Sequence, residues 1–182
     1  MLWAEFAQER VIRDVPHRHF VFVLPKALRS AFRHCRSLLP KLALRAWKSV
    51  GADIRVDTGG KASPGAIVSI QMAGNFLNWH PHLHVLATAG AFPVEGNFLR
   101  APHVDVTACR ELFQAHVLRL LLKEQMISPE LVDRMRTWRH CGFHKKTVSK
   151  DSAPQPTQDR SVSACLPLPR QFDVSLPKFG GI

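Results

Sequence analysis

The run His80-Pro81-His82-Leu83-His84-Val85-Leu86-Ala87 constrains the fold more than any other part of the chain. Its apolar residues alternate with histidines, and successive residues of a strand point to opposite faces. A strand here sends Leu83 and Val85 into a core and leaves His82 and His84 together on the other face. Imidazoles placed at core depth are costly unless something binds them. The pair therefore reads as half of a divalent-metal site, with further ligands from elsewhere in the fold or from water. His80 has the parity to be a third ligand, although Pro81 interrupts a ladder unless it stands at an edge or a strand start. The plain alternative is a pair of packed or surface histidines with no metal. Two other metal-binding patterns fit poorly: a cupin calls for Glu a few positions after the pair, where the next acid is Glu95, and a His-x-His-x-Asp-His hydrolase calls for Asp where His84 stands.

Other segments supply the rest of an α+β fold. The β-branched and aromatic run His19-Phe20-Val21-Phe22-Val23-Leu24 stops at Pro25 and predicts a buried strand. The period then changes. Leu28, Phe32, Cys35, Leu39, Leu42 and Ala46 recur at steps of four and three, which places them on one helical face. Lys26, Arg29, Arg33, Arg36, Lys41, Arg45 and Lys48 lie opposite, with no acid between Asp14 and Asp53, and Pro40 is expected to kink or split this helix. A charge run is usually a solvated face, but one without acids fits phosphate contact better.

The glycine- and serine-rich segment 51–65 predicts a loop. Strands are expected over 66–71 and 82–87, with a turn region from Gly90 through Pro93 and Gly96. A leucine-rich helix over 107–125 takes Thr107 as its N-cap, and Ser128-Pro129 opens a second helix that runs to Trp138. From Lys150 the composition shifts to Pro, Ser, Gln and Thr without apolar periodicity. Residues 1–149 thus read as one domain and 150–182 as a low-complexity tail with no packed element.

A formal charge of +11 and a pI near 10.3 favour polyanionic partners, nucleic acid first among them. Cys35, Cys109, Cys141 and Cys165 form no C-x-x-C pair and no dense framework, so reduced thiols are expected. No segment resembles a signal peptide, and the apolar runs fall short of the roughly 20 residues that cross a bilayer. A soluble cytoplasmic protein with no membrane contact is the expectation.

Three ordered blocks then resemble one family. Residues 78–90, N-W-H-P-H-L-H-V-L-A-T-A-G, resemble the histidine-hydrophobe-histidine signature of HUH endonucleases as it occurs in rolling-circle insertion-sequence transposases of the two-tyrosine family. Val15-Pro16-His17-Arg18-His19-Phe20-Val21-Phe22, with Leu24-Pro25-Lys26 and Leu28-Arg29, is similar to the segment that opens that family's catalytic domain. Trp138-Arg139-His140-Cys141-Gly142-Phe143 resembles a segment just past its middle, so the likeness runs over residues 14–148.

The resemblance implies an HUH-like antiparallel sheet with helices packed on it. It implies Mg²⁺ or Mn²⁺ held at His82 and His84, with His80 a weaker third, and single-stranded DNA as substrate. In that family a tyrosine on a later helix attacks the scissile phosphate, which is covalent catalysis assisted by a Lewis acid. This chain departs from the pattern: it contains no tyrosine, leaves the likeness after Val148, and shows no cysteine-rich zinc-binding segment before Asp14. The expectation is a truncated transposase domain with an incomplete sheet, no catalytic residue of its own, and apolar surface open to association. Ser69, Cys109, Cys141 or an activated water are the substitutes for the nucleophile, and water attack yields hydrolysis without a covalent link. His140, His144, Lys145 and Lys146 touch phosphate or face solvent. The rival readings are a non-catalytic DNA-binding protein and a metal-dependent hydrolase or metal-binding module.

Overall fold

The computed structural model describes residues 3–74, 78–138 and 142–149. The chain divides into two units, Met1–Asp151 and Ser152–Ile182, and every described residue lies in the first. The expected tail over 150–182, and Arg139, His140 and Cys141 of the third block, lie outside the described residues.

A short helix α1 (Trp3–Phe6) and a π-helical turn (Ala7–Val11) precede β1 (His17–Val23). Two helices follow, α2 (Lys26–His34) and α3 (Leu38–Asp57). Then come β2 (Ala62–Ser63), β3 (Ala66–Ala73), β4 (Trp79–Thr88), β5 (Gly90–Pro93) and β6 (Leu99–Arg100). Helices α4 (Val106–Lys123) and α5 (Pro129–Arg136) lead to β7 (His144–Ser149). The main sheet has the order β3-β4-β1-β7 with every neighbouring pair antiparallel, and β2-β5-β6 form a smaller antiparallel set. The α+β class expected from the sequence is borne out at this level.

Strand alternation separates the two faces of the main sheet. Phe20 and Phe22 of β1 and Leu83 and Val85 of β4 are fully buried, and the helices cover this side. Leu28 and Phe32 come from α2, Leu42, Val50 and Ile54 from α3, and Phe113, Val117 and Leu121 from α4. The rings of Phe22 and Phe113 lie 4.5 Å apart, and Phe143 meets Phe113 edge-on at 6.0 Å. Residues of opposite parity, among them His19, Val21, His82 and His84, occupy the other face and are only half-buried.

Several local expectations are refined by packing. The basic helix does split, at residues 35–37, so that Pro40 falls in the first turn of α3, where its missing N–H has no partner to lose. The loop expected from residue 51 is a correction: α3 continues to Asp57. Val50 and Ile54 extend its apolar stripe into the core, and burying one such side chain, about 1.5–3 kcal/mol, outweighs the ~1 kcal/mol cost of Gly51 in a helix. The helix stops only where Gly59 and Gly60 take φ of +72° and +81°. Asp105, not Thr107, caps α4, its carboxylate accepting from the amides of Thr107 and Ala108 at 2.9 Å. Ser128 caps α5 as expected.

β4 begins earlier than expected and runs through Pro81. Gln71 pairs with His82 but Ala73 pairs with Trp79, so β4 carries one extra residue in a bulge at His80 and Pro81. β1 pairing stops at His82, and the proline therefore displaces no ladder bond from that side. β7 was not foreseen, because the polar run His144–Ser149 lacks an apolar strand signature. Its backbone pairs along the outer edge of β1.

Candidate functional site

The half-buried face of the main sheet gathers four polar side chains from three strands. His82 and His84 share this face on β4, and the antiparallel register sets Gln71 of β3 directly opposite His82. Gln71 Oε1 lies 2.7 Å from His82 Nε2 and 3.0 Å from His84 Nε2. On the other side of β4, His19 reaches diagonally from β1, placing its Nε2 2.9 Å from His84 Nδ1, with the ring centroids 5.0 Å apart and the planes within 14° of parallel. His82 Nδ1 lies 2.8 Å from the carbonyl oxygen of His80.

These contacts can be tested for their fit to a divalent cation. A carbonyl oxygen only accepts, so the contact at His80 asks for a proton on His82 Nδ1. A neutral His82 then has a bare lone pair at Nε2, facing the oxygen of Gln71 at 2.7 Å. Two lone pairs at that distance repel unless a proton or a metal ion joins them, or the Gln71 amide turns over to present its NH₂. Two imidazoles and one amide oxygen are donor types that a divalent ion accepts, and Gln71 is exposed, so solvent can reach them. Burial first, then the charges of His82 and His19, hold the His84 pKa below the ordinary histidine value, which favours the neutral, ligating form.

His80 stands apart from the converging atoms. Its ring packs against Gly74, and its Nε2 is buried with no hydrogen-bond partner among the described residues. Burial first, then the charges of Arg29, His82 and Lys26, lower its pKa. No group of three or more His, Cys, Asp and Glu side chains gathers into a metal site among the described residues. A glutamine completes the converging set instead.

The basic stripe of the sequence separates into two parts. Lys26, Arg29, Arg33 and Arg36 lie on α2 and the turn after it, near the start of β4. The Arg36 guanidinium sits 5.8 Å from the Trp79 ring, and Trp79 Nε1 donates to the carbonyl of Arg29. Arg29 is half-buried, its Nε donating to Leu24 O, and burial lowers its pKa. Lys41, Arg45 and Lys48 lie on α3. Lys41 is paired with Glu124 at 2.6 Å, Arg45 is half-buried with its Nε unpartnered among the described residues, and Lys48 is exposed. The backbones of Lys145 and Lys146 pair with Phe22 and Val21, while their side chains and that of His144 lie outside what is described.

Of the substitute nucleophiles, Cys109 is buried on α4 and Cys141 lies outside the described residues. Ser69 is exposed and stands opposite His84 in the β3–β4 ladder. The amino-terminal segment borders the far end of this face: Val11, Ile12 and Arg13 line a cavity of about 90 Å³ with Ile67 and Leu86. Among the described residues, the exposed large apolar side chains, such as Val56 and Val94, belong to no strand of the main sheet. Among the described residues no helix is long and apolar enough to cross a membrane.

Gln71 and His19 were missed by sequence reasoning. Alternation places each on the site face of its own strand, but only the cross-strand register brings them to His82 and His84.

An antiparallel sheet backed by helices, with two imidazoles and an amide oxygen gathered on its other face, is a layout that can present a cation to a ligand lying across the surface. The transposase for insertion sequence element IS801 of Pseudomonas savastanoi pv. phaseolicola is 33% identical to this chain over 91 residues. That match covers 49% of this chain and 21% of the transposase, so the chain spans about a fifth of the relative's length. The similarity supports a relationship to insertion-sequence transposases. No family model matches the chain, and no solved structure matches it.

Proposed function

We propose that this chain is the metal- and DNA-handling part of an insertion-sequence transposase of the two-tyrosine HUH endonuclease kind, acting on single-stranded DNA. The observation that carries the reading is the approach of His82 Nε2 and His84 Nε2 to one oxygen of Gln71 on an accessible sheet face. The same chain is similar to an insertion-sequence transposase. His82, His84 and Gln71 hold Mg²⁺ or Mn²⁺, and the two imidazoles favour Mn²⁺ over the harder Mg²⁺. When bound, the ion supplies Lewis-acid polarisation of a scissile phosphate. Lys26, Arg29, Arg33 and Arg36 attract the DNA backbone toward the same end of the sheet, and Trp79 offers an aromatic surface beside them.

The 182 residues contain no tyrosine, so the chain cannot itself form a phosphotyrosine. This favours a second reading, a DNA-binding protein that engages transposon DNA without completing strand transfer. Incubation of the purified chain with labelled single-stranded DNA and Mn²⁺ separates the two. Metal-dependent nicking supports a catalytic role, whereas salt-sensitive retention without nicking supports the binder. Absence of both metal and DNA binding overturns the proposal.

A further inference from the structure

We infer that His19 is a positioning residue for the metal site, holding the His84 ring so that its Nε2 lone pair faces the cation. The inference rests on the metal reading above and adds to it a residue that is not itself a ligand.

A neutral imidazole carries one proton, and both nitrogens of His84 are engaged: Nδ1 is 2.9 Å from His19 Nε2, and Nε2 is 3.0 Å from Gln71 Oε1. Two proton arrangements satisfy the His19–His84 contact. In the first, His19 Nε2–H donates to His84 Nδ1, and His84 Nε2–H donates to Gln71. That arrangement closes the site, because His84 offers no lone pair to a metal. In the second, His84 Nδ1–H donates to His19 Nε2, and both His84 Nε2 and Gln71 Oε1 are free to face a cation. Passing from the first to the second moves one proton from Nε2 to Nδ1 on each ring, by exchange with solvent, with no net gain or loss of protons. His19 accepts in the second arrangement, carries its own proton on Nδ1, and remains neutral.

The contrast with His82 explains why a side chain is needed here. The His80 carbonyl fixes His82 from the backbone and can only accept, so it selects the Nδ1–H tautomer unaided. The corresponding nitrogen of His84 meets His19 instead. The near-parallel alignment of the two rings, 14° between planes, with their nitrogens in contact at 2.9 Å, also limits rotation of His84 about its side-chain bonds. Orienting partners of this kind usually contribute a 10- to 100-fold change in metal affinity.

The test uses the full chain and Mn²⁺ or Mg²⁺ alone. Mn²⁺ affinity is measured by titration calorimetry and electron paramagnetic resonance for wild type, His84→Ala, His19→Phe and His19→Gln. The His84 tautomer is read from nitrogen-15 shifts in the Mg²⁺-loaded wild type. His19→Phe is expected to weaken Mn²⁺ binding about 10- to 100-fold, and His19→Gln, which restores an acceptor, to recover most of the loss. The loaded wild type is expected to show His84 protonated at Nδ1. If His19→Phe binds Mn²⁺ as wild type does while His84→Ala does not, the role of His19 is overturned and the metal reading stands. If wild type binds no Mn²⁺ at millimolar concentration, the metal reading fails and takes the inference with it. The tautomer measurement needs no variant: an Nε2-protonated His84 in loaded protein removes His84 from the ligand set, so that outcome overturns the metal reading and the inference with it.

Discussion

Gln71 and His82 stand directly opposite each other on β3 and β4, and Gln71 Oε1 lies 2.7 Å from His82 Nε2. The contact ties an exposed amide to an imidazole whose other nitrogen is already occupied by a backbone carbonyl. Metal affinity is therefore expected to respond to Gln71 as well as to the histidines. His82→Ala and His84→Ala are predicted to abolish Mn²⁺ binding in calorimetry, and Gln71→Ala to weaken it by about tenfold or more. Gln71→Glu adds negative charge beside the ion and is predicted to tighten binding. An unchanged affinity in Gln71→Ala removes this residue from the ligand set.

The two parts of the basic surface differ in what they have left to offer a phosphate. Lys41 already pairs with Glu124, whereas Lys26, Arg33 and Arg36 form no ion pair among the described residues. Changing Lys26, Arg33 and Arg36 together to Gln is predicted to weaken single-stranded DNA binding. Its salt dependence should fall by about 0.7 in log–log slope for each phosphate that is no longer neutralised. Lys41→Gln is expected to change little. Equal effects from the two changes, measured by fluorescence anisotropy across a salt series, contradict the division.

Protonation is expected to destabilise the fold through His116 on α4. Its Nδ1 lies 3.1 Å from Ser49 Oγ, and burial is the main cause that holds its pKa below 6.5. The unfolded chain then binds the proton more readily, so stability is complete above pH 6.5 and declines as pH falls through 6.5 toward the lowered folded value. His84 and His80 are shifted in the same direction and add to the slope. Denaturant midpoints between pH 5 and 8 should rise with pH, and less steeply in His116→Asn. A flat profile counts against these burial effects.

The cap of α4 offers a test of the fold independent of function. Asp105 accepts from two otherwise unpaired amides, so Asp105→Ala is predicted to cost about 1 kcal/mol. Thr107→Ala is predicted to cost little, because the threonine supplies an amide and not the cap. Thermal or denaturant unfolding of the two variants checks the order, and a larger loss from Thr107→Ala reverses the assignment.

Much of the fold was legible because its signals are local. The alternation in residues 82–87 is a property of the strand alone, and it put Leu83 and Val85 in the core with His82 and His84 opposite. Ser128-Pro129 opened α5 where those residue types suit a helix start. Local signals failed where packing outweighed them. Gly51 reads as a helix breaker, yet it is buried within α3 because Val50 and Ile54 on either side reach the core. Arg18 shares the parity of Phe20 and Phe22 on β1, and no local signal says what its charge meets. It is 5% exposed, and its guanidinium donates to the carbonyls of Ala101 and Pro102, at 2.6 and 2.8 Å, bracing the segment before α4.

The histidine pair shows the same division. That His82 and His84 share a face follows from the two-residue period of a strand, which needs no knowledge of its neighbours. That Gln71 and His19 are the side chains beside them depends on which strands flank β4 and in what register. Burial of apolar residues far apart in the sequence sets that register, since a slip of one residue would turn each strand's core side chains to the wrong face. The sequence by itself determined the paired imidazoles. The tertiary structure decided that an amide oxygen meets them on one side and a third imidazole on the other.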